Sequence, residues 1–231
     1  MNNKKNEQIN QECSTLLDVA NDNLVWHTAS VSRVEKEKVA GQRGQLLWFT
    51  GLSGAGKSTL ANAMDDYFRS KGKISVVLDG DNIRHGLCSD LGFSDADRGE
   101  NIRRVGEVSK LFVEAGVIVL AAFISPFLSD RKKVRSLLTE GDFVEIYCDS
   151  TIDICEKRDV KGLYQKARLN MLKNFTGLSS SYEAPEAPEI HLDTTSKSVL
   201  QCMEEIISYM QPFRTIGNFP DVQSTPVEGF T

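Results

Sequence analysis

Residues that could carry chemistry concentrate in four places. The first is Gly51-Leu-Ser-Gly-Ala-Gly-Lys-Ser58, which fits the pattern Gly, four residues, Gly-Lys-Ser/Thr. Glycines let a backbone curl around phosphate oxygens, with N–H groups aimed at the anion. Lys57 adds a positive charge near the β- and γ-phosphates, and the Ser58 hydroxyl suits Mg²⁺. The second place is Asp79-Gly80-Asp81-Asn82-Ile83-Arg84, two acids, an amide and an arginine within six residues. Asp-Gly also occurs in ordinary turns, but this combination downstream of a phosphate loop favours a site. The third is Arg98, Asn101, Arg103 and Arg104 at a helix start, where cations oppose the helix dipole. An anionic ligand accounts for them; a solvated face is the alternative. The fourth is a basic, glycine-punctuated stretch, with Lys161, Lys166, Arg168 and Lys173 beside Gly162 and Gly177. It reads as a lid over phosphates, or as an exposed loop and helix.

These groups need elements to hold them. Leu46–Thr50 reads as a buried strand before the phosphate loop, and Leu60, Ala63, Met64, Tyr67 and Phe68 recur at helical spacing after it, stopping at Gly72. Ile74–Leu78 is a second strand, which places Asp79 and Asp81 just past its carboxyl end, where open α/β sheets bind ligands. A helix is expected over about 98–115. The apolar run Val117–Phe123 suits a central parallel strand and leads into Ile124-Ser125-Pro126. Ser129 or Asp130 is the expected cap of a short helix running to Leu138. Strands at Asp142–Cys148 and Glu189–Asp193, with helices at Thr151–Arg158 and Ser196–Met210, complete the pattern. Five strands alternating with helices predict an α/β fold: a doubly wound, mainly parallel sheet of the nucleoside-triphosphate-binding kind.

Length and composition set limits. The chain has 231 residues, 40% of them hydrophobic, which suits one α/β domain with modest tails. The expected bounds are a flexible segment over 1–25, a phosphate-loop domain over 26–210 with its lid at about 159–178, and an extended tail over 211–231. The formal charge of −5 argues against bulk nucleic-acid binding. Cys13, Cys88, Cys148, Cys155 and Cys202 form no zinc-like spacing, and their scatter suits reduced thiols. No run of about 18 apolar residues occurs and the N-terminus lacks an apolar signal core, so the expectation is a cytoplasmic protein with no membrane partner.

The chain lacks the Asn-Lys-x-Asp element of switch GTPases, and its apolar strand ends in Ile-Ser-Pro rather than in the metal-binding acid of motor ATPases. A small-molecule kinase remains. At this point several motifs become specific. Phe49–Thr59, Leu78-Asp-Gly-Asp-Asn-Ile-Arg84, Asp97-Arg-Gly-Glu-Asn-Ile-Arg-Arg104, Phe123-Ile-Ser-Pro126 and Lys161-Gly-Leu-Tyr164, followed by Phe175-Thr-Gly177, Tyr182-Glu183 and Pro188-Glu-Ile190, closely resemble the adenylylsulfate kinase family. The likeness runs from about Trp26 to Met210.

The resemblance implies transfer of the γ-phosphoryl of MgATP to the ribose 3′-hydroxyl of adenosine 5′-phosphosulfate. It implies that Gly51, Leu52, Ser53, Gly54, Ala55, Gly56, Lys57, Ser58 and Thr59 hold ATP, with Ser58 and Asp79 at the Mg²⁺. It implies that Asp81, Arg84, Phe93, Arg98, Asn101, Ile124, Ser125 and Lys161 receive the acceptor. Phe93 would stack on a purine, and Arg84 and Arg98 would pair with the phosphosulfate. Asp81, Lys57, Ser125 and Lys161 are the catalytic candidates: Asp81 orients the 3′-hydroxyl, and the lysines neutralise charge. The family also carries a phosphoserine reading of the Ser125 position; substrate contact is preferred, because in-line transfer needs no protein nucleophile. Family members are commonly homodimers. The chain departs from the family at Val160, where proline is usual, and at Gln165, where lysine is common. It also lacks the plant family members' redox cysteine in the phosphate-loop helix, where Asn62 and Ala63 stand. Two alternatives stay open: a kinase for another small acceptor, and a nucleotide-binding module that does not turn over.

Overall fold

The computed structural model describes Val25, His27 and residues 29–172 and 174–210. The expectations for residues 1–24, Trp26, Lys173 and the tail at 211–231 lie outside the described residues. The chain divides into two units, Met1–Ser32 and Arg33–Thr231; the elements below belong to the second.

In chain order they are α1 (Arg33–Ala40), β1 (Gln45–Thr50), α2 (Lys57–Ser70), β2 (Ser75–Asp79), α3 (Gly80–His85) and α4 (Asp95–Glu114). There follow β3 (Ile118–Ala122), α5 (Leu128–Ser136), β4 (Phe143–Asp149), α6 (Ile152–Arg158), α7 (Leu163–Arg168), β5 (Ile190–Asp193) and α8 (Val199–Met210). The five strands form one sheet in the order β2-β3-β1-β4-β5, and every pairing is parallel. The doubly wound α/β expectation is therefore met, with the phosphate-loop strand at the centre.

Alternation along β1 explains the two cores. Successive side chains of a strand face opposite ways, so Leu46 and Trp48 pack on one side and Leu47 and Phe49 on the other. The first side is closed by Ile102, Val105 and Val113 of α4 and Val134 of α5. The second is closed by Leu60, Met64 and Phe68 of α2 and Cys202 and Ile206 of α8. All six residues of β1 are buried, as a central strand covered on both faces requires. Helices on both faces leave the loops at the strands' carboxyl ends as the place where functional groups gather.

Several local expectations are corrected. The helix expected from residue 98 begins at Asp95, because Ser94 and Asp97 form a reciprocal capping box at its start. Arg98 thus sits behind Asp95 and Asp97, which occupy the first turn. α5 starts at Leu128 without a cap from Ser129 or Asp130; the Leu128 N–H donates instead to Glu183 Oε2, 2.6 Å away. α1, α3 and α7 have no counterpart among the expected helices. α1 buries no residue and has no apolar stripe, so periodicity had nothing to detect. Charge holds it: Arg33 pairs with Glu37 at 2.9 Å and with the fully buried Asp142, and donates to the Gly44 carbonyl at 3.0 Å. Among the described residues, no helix is long and apolar enough to cross a membrane.

The approach of β1 to the end of α4 is tight at Gly44. A Cβ there would lie 2.2 Å from the Val113 carbonyl oxygen, a backbone atom that cannot rotate away. Gly44→Ala is expected to lower the unfolding free energy by at least about 2 kcal/mol, as overpacking does. Urea denaturation of the full chain checks this; a midpoint within error of the wild type would contradict it.

Candidate active site

The phosphate loop is built where only glycine fits. Gly51 has φ 145° and Gly54 φ 79°. A Cβ at Gly51 would lie 2.5 Å from the Cys148 carbonyl oxygen, and one at Gly54 2.9 Å from that of Cys155. The loop feeds α2 through Gly56, itself at φ 89°, and no side chain caps the helix. The first-turn amides are left facing the cavity, as an anion site at a helix N-terminus requires. Lys57 is 8% exposed, and its ammonium donates to the Leu52 carbonyl at 2.6 Å. Burial pulls its pKa down to about 8. Ser58 donates to Asp79 Oδ2 at 2.6 Å, while Asp79 Oδ1 accepts the Asp81 N–H at 3.0 Å and so caps α3. Ser53, Gly54, Gly56, Lys57, Ser58 and Thr59 line a cavity of about 680 Å³. Gly51, Leu52 and Ala55 shape the loop from behind: Ala55 is fully buried and Leu52 supplies the carbonyl that holds Lys57.

The acceptor candidates belong to the lining of the same cavity. Asp81, Arg84, Phe93, Arg98, Asn101, Ile124, Ser125 and Lys161 all line it. Phe93 is 60% exposed, with the Arg84 guanidinium 4.4 Å and that of Arg98 6.0 Å from its ring centre. Such an open aromatic face flanked by two cations suits a base attached to an anion. Arg98 donates to the Phe93 carbonyl, the Asn174 carbonyl and Thr176 Oγ1 at 3.1, 2.6 and 3.0 Å, and burial lowers its pKa. Asn101 is buried, and its Nδ2 lacks a hydrogen-bond partner among the described residues. An unused buried donor on a cavity wall is ready for a ligand oxygen. Arg103 and Arg104 are not part of this lining. They pair with Glu100, and Arg104 also with Asp90 at 2.7 Å, which answers the dipole question for these two without a ligand. Ser125 is 2% exposed with φ 40°, its oxygen accepting from Trp48 Nε1 and donating to Thr50 Oγ1, both at 3.0 Å.

The segment expected as a lid makes several contacts. The Asp159 carboxylate, upstream of α7, accepts the Tyr164 and Gln165 N–H groups of its first turn at 3.0 Å each. The Tyr164 hydroxyl donates to the Ser53 carbonyl at 2.9 Å, joining α7 to the phosphate loop. Lys161 forms an ion pair with Asp81. The sequence model of the adenylylsulfate kinase family matches residues 43–193 of this chain. The chain belongs to the adenylylsulfate kinase family. It is 62% identical over 186 residues to the adenylyl-sulfate kinase of Prochlorococcus marinus, covering 80% of this chain and 92% of that relative. Among solved structures it is similar to the APS kinase of Mycobacterium tuberculosis in complex with AMPPNP and APS, at 43% identity and TM-score 0.71 over 74% of this chain and 99% of that one. It is also similar to a hexameric APS kinase from Thiobacillus denitrificans, at 32% identity and TM-score 0.55, covering 75% of this chain and 30% of that one.

Family membership leaves one end of the cavity to be described from this chain alone. Arg158, Thr194, Lys197, Val199 and Cys202 line it, and none was singled out in the sequence as a site residue. Arg158 bridges the Gly54 and Thr194 carbonyls at 3.2 and 2.6 Å, tying α6 to the phosphate loop and to the end of β5. Thr194 was the detectable member: it follows β5 at the carboxyl edge, the same position that drew attention to Asp79 and Ser125.

The lowered pKa of Lys57 has a measurable sign. Between about pH 8 and 10.5 the unfolded chain binds this proton while the folded chain releases it, so stability rises with pH across that window. The wild type should gain about 1 kcal/mol more than Lys57→Met between pH 8 and 9.5 in urea unfolding. Parallel stability profiles for the two proteins would show that Lys57 is not desolvated.

Proposed function

We propose that this protein catalyses transfer of the γ-phosphoryl group of MgATP to the 3′-hydroxyl of adenosine 5′-phosphosulfate, giving 3′-phosphoadenosine 5′-phosphosulfate and ADP. One observation carries the reading: a single cavity is lined both by the phosphate loop and by the acceptor candidates, among which Lys161 and Asp81 form an ion pair. ATP occupies the side of Gly51–Thr59, its phosphates on the loop and α2 amides and on Lys57. The phosphosulfate of the acceptor pairs with Arg84 and Arg98, its purine lies on Phe93, and Asn101 supplies its free donor. The 3′-oxygen forms the new bond to γ-phosphorus as the bond from phosphorus to the β,γ-bridging oxygen breaks. That electron pair leaves on ADP, and the hydroxyl proton passes to Asp81, which gives up its pairing with Lys161 to accept it. Lys161 is then free to neutralise the moving phosphoryl, with Lys57 on its other side. Ser125 is a contact of the acceptor and not a phosphoryl carrier, since its hydroxyl proton is already committed to Thr50.

Ser58 and Asp79 fit Mg²⁺, being hard oxygen donors 2.6 Å apart beside the phosphate loop. Among the described residues no three His, Cys, Asp or Glu side chains converge as a closed metal cage, which suits a cation held partly by substrate phosphates. When bound, it neutralises the β- and γ-oxygens. The kinase domain is proposed to span 26–210 with its lid at about 159–178, followed by a tail at 211–231. A homodimer acting on small molecules in the cytoplasm, with neither nucleic-acid nor membrane partners, completes the proposal; the hexameric relative supports self-association.

ADP release from MgATP, measured with adenylylsulfate and separately with a nucleoside monophosphate, tests the function. Release that depends on adenylylsulfate is expected. Equal or faster release with the control acceptor would assign a different kinase, and no release despite binding of both ligands would favour a non-catalytic module. Within the enzyme, Phe93→Ala is expected to raise the KM for adenylylsulfate roughly tenfold or more, from lost stacking, and Arg98→Ala to act in the same direction. The KM for MgATP should stay within about twofold for both. Matching losses for the two substrates would move Phe93 and Arg98 out of the acceptor pocket.

A further inference from the structure

The turn that carries Ile124 and Ser125 is strained and tied down from one direction. Ser125 is a non-glycine residue at φ 40°, a conformation that persists only where surrounding contacts impose it. Its Oγ lies between Trp48 Nε1 and Thr50 Oγ1. Thr50 in turn donates to the Ile124 carbonyl at 2.8 Å. A threonine hydroxyl has one proton, so the 3.0 Å contact between Thr50 and Tyr182 is one in which the Tyr182 hydroxyl donates. Burial pushes the Tyr182 phenol up, which keeps that proton in place.

Arg131 closes the arrangement from the other side. It is 2% exposed, and its three guanidinium nitrogens each have a separate acceptor. Nε donates to Glu145 at 2.6 Å, one terminal nitrogen to the Ser125 carbonyl at 2.5 Å, and the other to the Glu183 carbonyl at 2.7 Å. Glu183 returns the contact twice: its N–H donates to the Pro126 carbonyl at 2.9 Å, and its carboxylate accepts the Leu128 N–H that starts α5.

We infer that Tyr182 and Glu183, with Arg131, form a clamp that holds the Ile124–Ser125 turn in its strained conformation, and that they are positioning residues for the acceptor. The inference rests on the proposed placement of adenylylsulfate against Ile124 and Ser125. The clamp also lies where the chain returns from the lid. Thr176, which accepts from Arg98, bridges to Ser180, two residues before Tyr182. The acceptor wall and the root of the lid therefore share one set of contacts, which meets the phosphate-loop strand at Trp48 and Thr50, while the loop itself is held by other groups, through Lys57 to Leu52 and Tyr164 to Ser53. Loss of the clamp should thus be felt by one substrate and not by the other.

The test is steady-state kinetics of the full chain, varying each substrate with the other saturating, together with thermal unfolding. Tyr182→Phe keeps the ring, stacked 6.2 Å from Tyr147, and removes only the donor. It is expected to lower kcat/KM for adenylylsulfate about fivefold, the loss of one net hydrogen bond, with the KM for MgATP within about twofold. Glu183→Ala should lower the same quantity by about tenfold, and Glu183→Gln, whose amide oxygen still accepts the Leu128 N–H, should recover most of it. Phe93→Ala serves as the control for the pocket itself. If Phe93→Ala weakens adenylylsulfate while Tyr182→Phe and Glu183→Ala do not, the clamp is refuted and the pocket stands. Equal losses for both substrates, or a lowered Tm with unchanged kinetics, refute it as well, since those are the marks of a merely structural contact. If Phe93→Ala is also silent, the acceptor placement fails and the clamp's role falls with it.

Discussion

The ammonium of Lys57 is buried and held by a carbonyl, that of Leu52, rather than by a carboxylate. A desolvated cation in that state is costly, and its pKa of about 8 expresses the cost. The rest of the molecule is arranged to keep it there. Gly51 and Gly54 allow the loop to wrap around it at backbone angles other residues resist, with carbonyls of β4 and α6 pressed against them. α2 begins at the lysine itself, so the helix's unused amides point the same way as the ammonium. A polyanion is the partner that relieves both conditions at once. Its binding energy is available because the ammonium is held by a neutral carbonyl, which leaves the positive charge uncompensated.

The acceptor wall follows a different logic. Its charged groups are already engaged, but with partners they can exchange. Asp81 and Lys161 pair with each other while both remain more than half exposed, so the pair contributes little to stability and separates at small cost. Arg98 is held by two carbonyls and a hydroxyl, which position it without neutralising its charge. Contrast Asp142, fully buried and gripped by Arg33 and Arg43 far along the chain. That pairing fixes the amino-terminal edge of the sheet and is not available for exchange. These ionic contacts therefore differ by burial: a tight set where strands begin, an exchangeable pair where they end.

Much of this was legible in the sequence, and a definite part was not. Local signals sufficed for the five strands, the phosphate loop and the helix after it, because each rests on periodicity, a glycine pattern or a run of apolar residues within a few turns of chain. The proposed acceptor residues were legible as types, through Asp81, Arg84, Phe93 and Arg98 beside strand ends and through the family resemblance. The sequence by itself could also place Ser125 after a buried strand.

What only the tertiary structure decided are the pairings between distant segments. Arg98 and Arg104 look alike in sequence, two arginines of one helix, yet Arg104 is consumed by Asp90 and Glu100 while Arg98 lines the cavity and donates to Thr176. The cap of α5 comes from Glu183, 55 residues downstream, where no local rule would search for it. α1 has no apolar stripe and is held by an arginine whose buried partner lies 109 residues away. The strand order β2-β3-β1-β4-β5 brings Arg158, Thr194 and Cys202 to the end of the cavity that Lys57 also lines. The physical reason is the same in each case: periodicity and propensity act over neighbouring residues, whereas a buried charge or an unfilled amide is satisfied by whatever group the fold delivers to it.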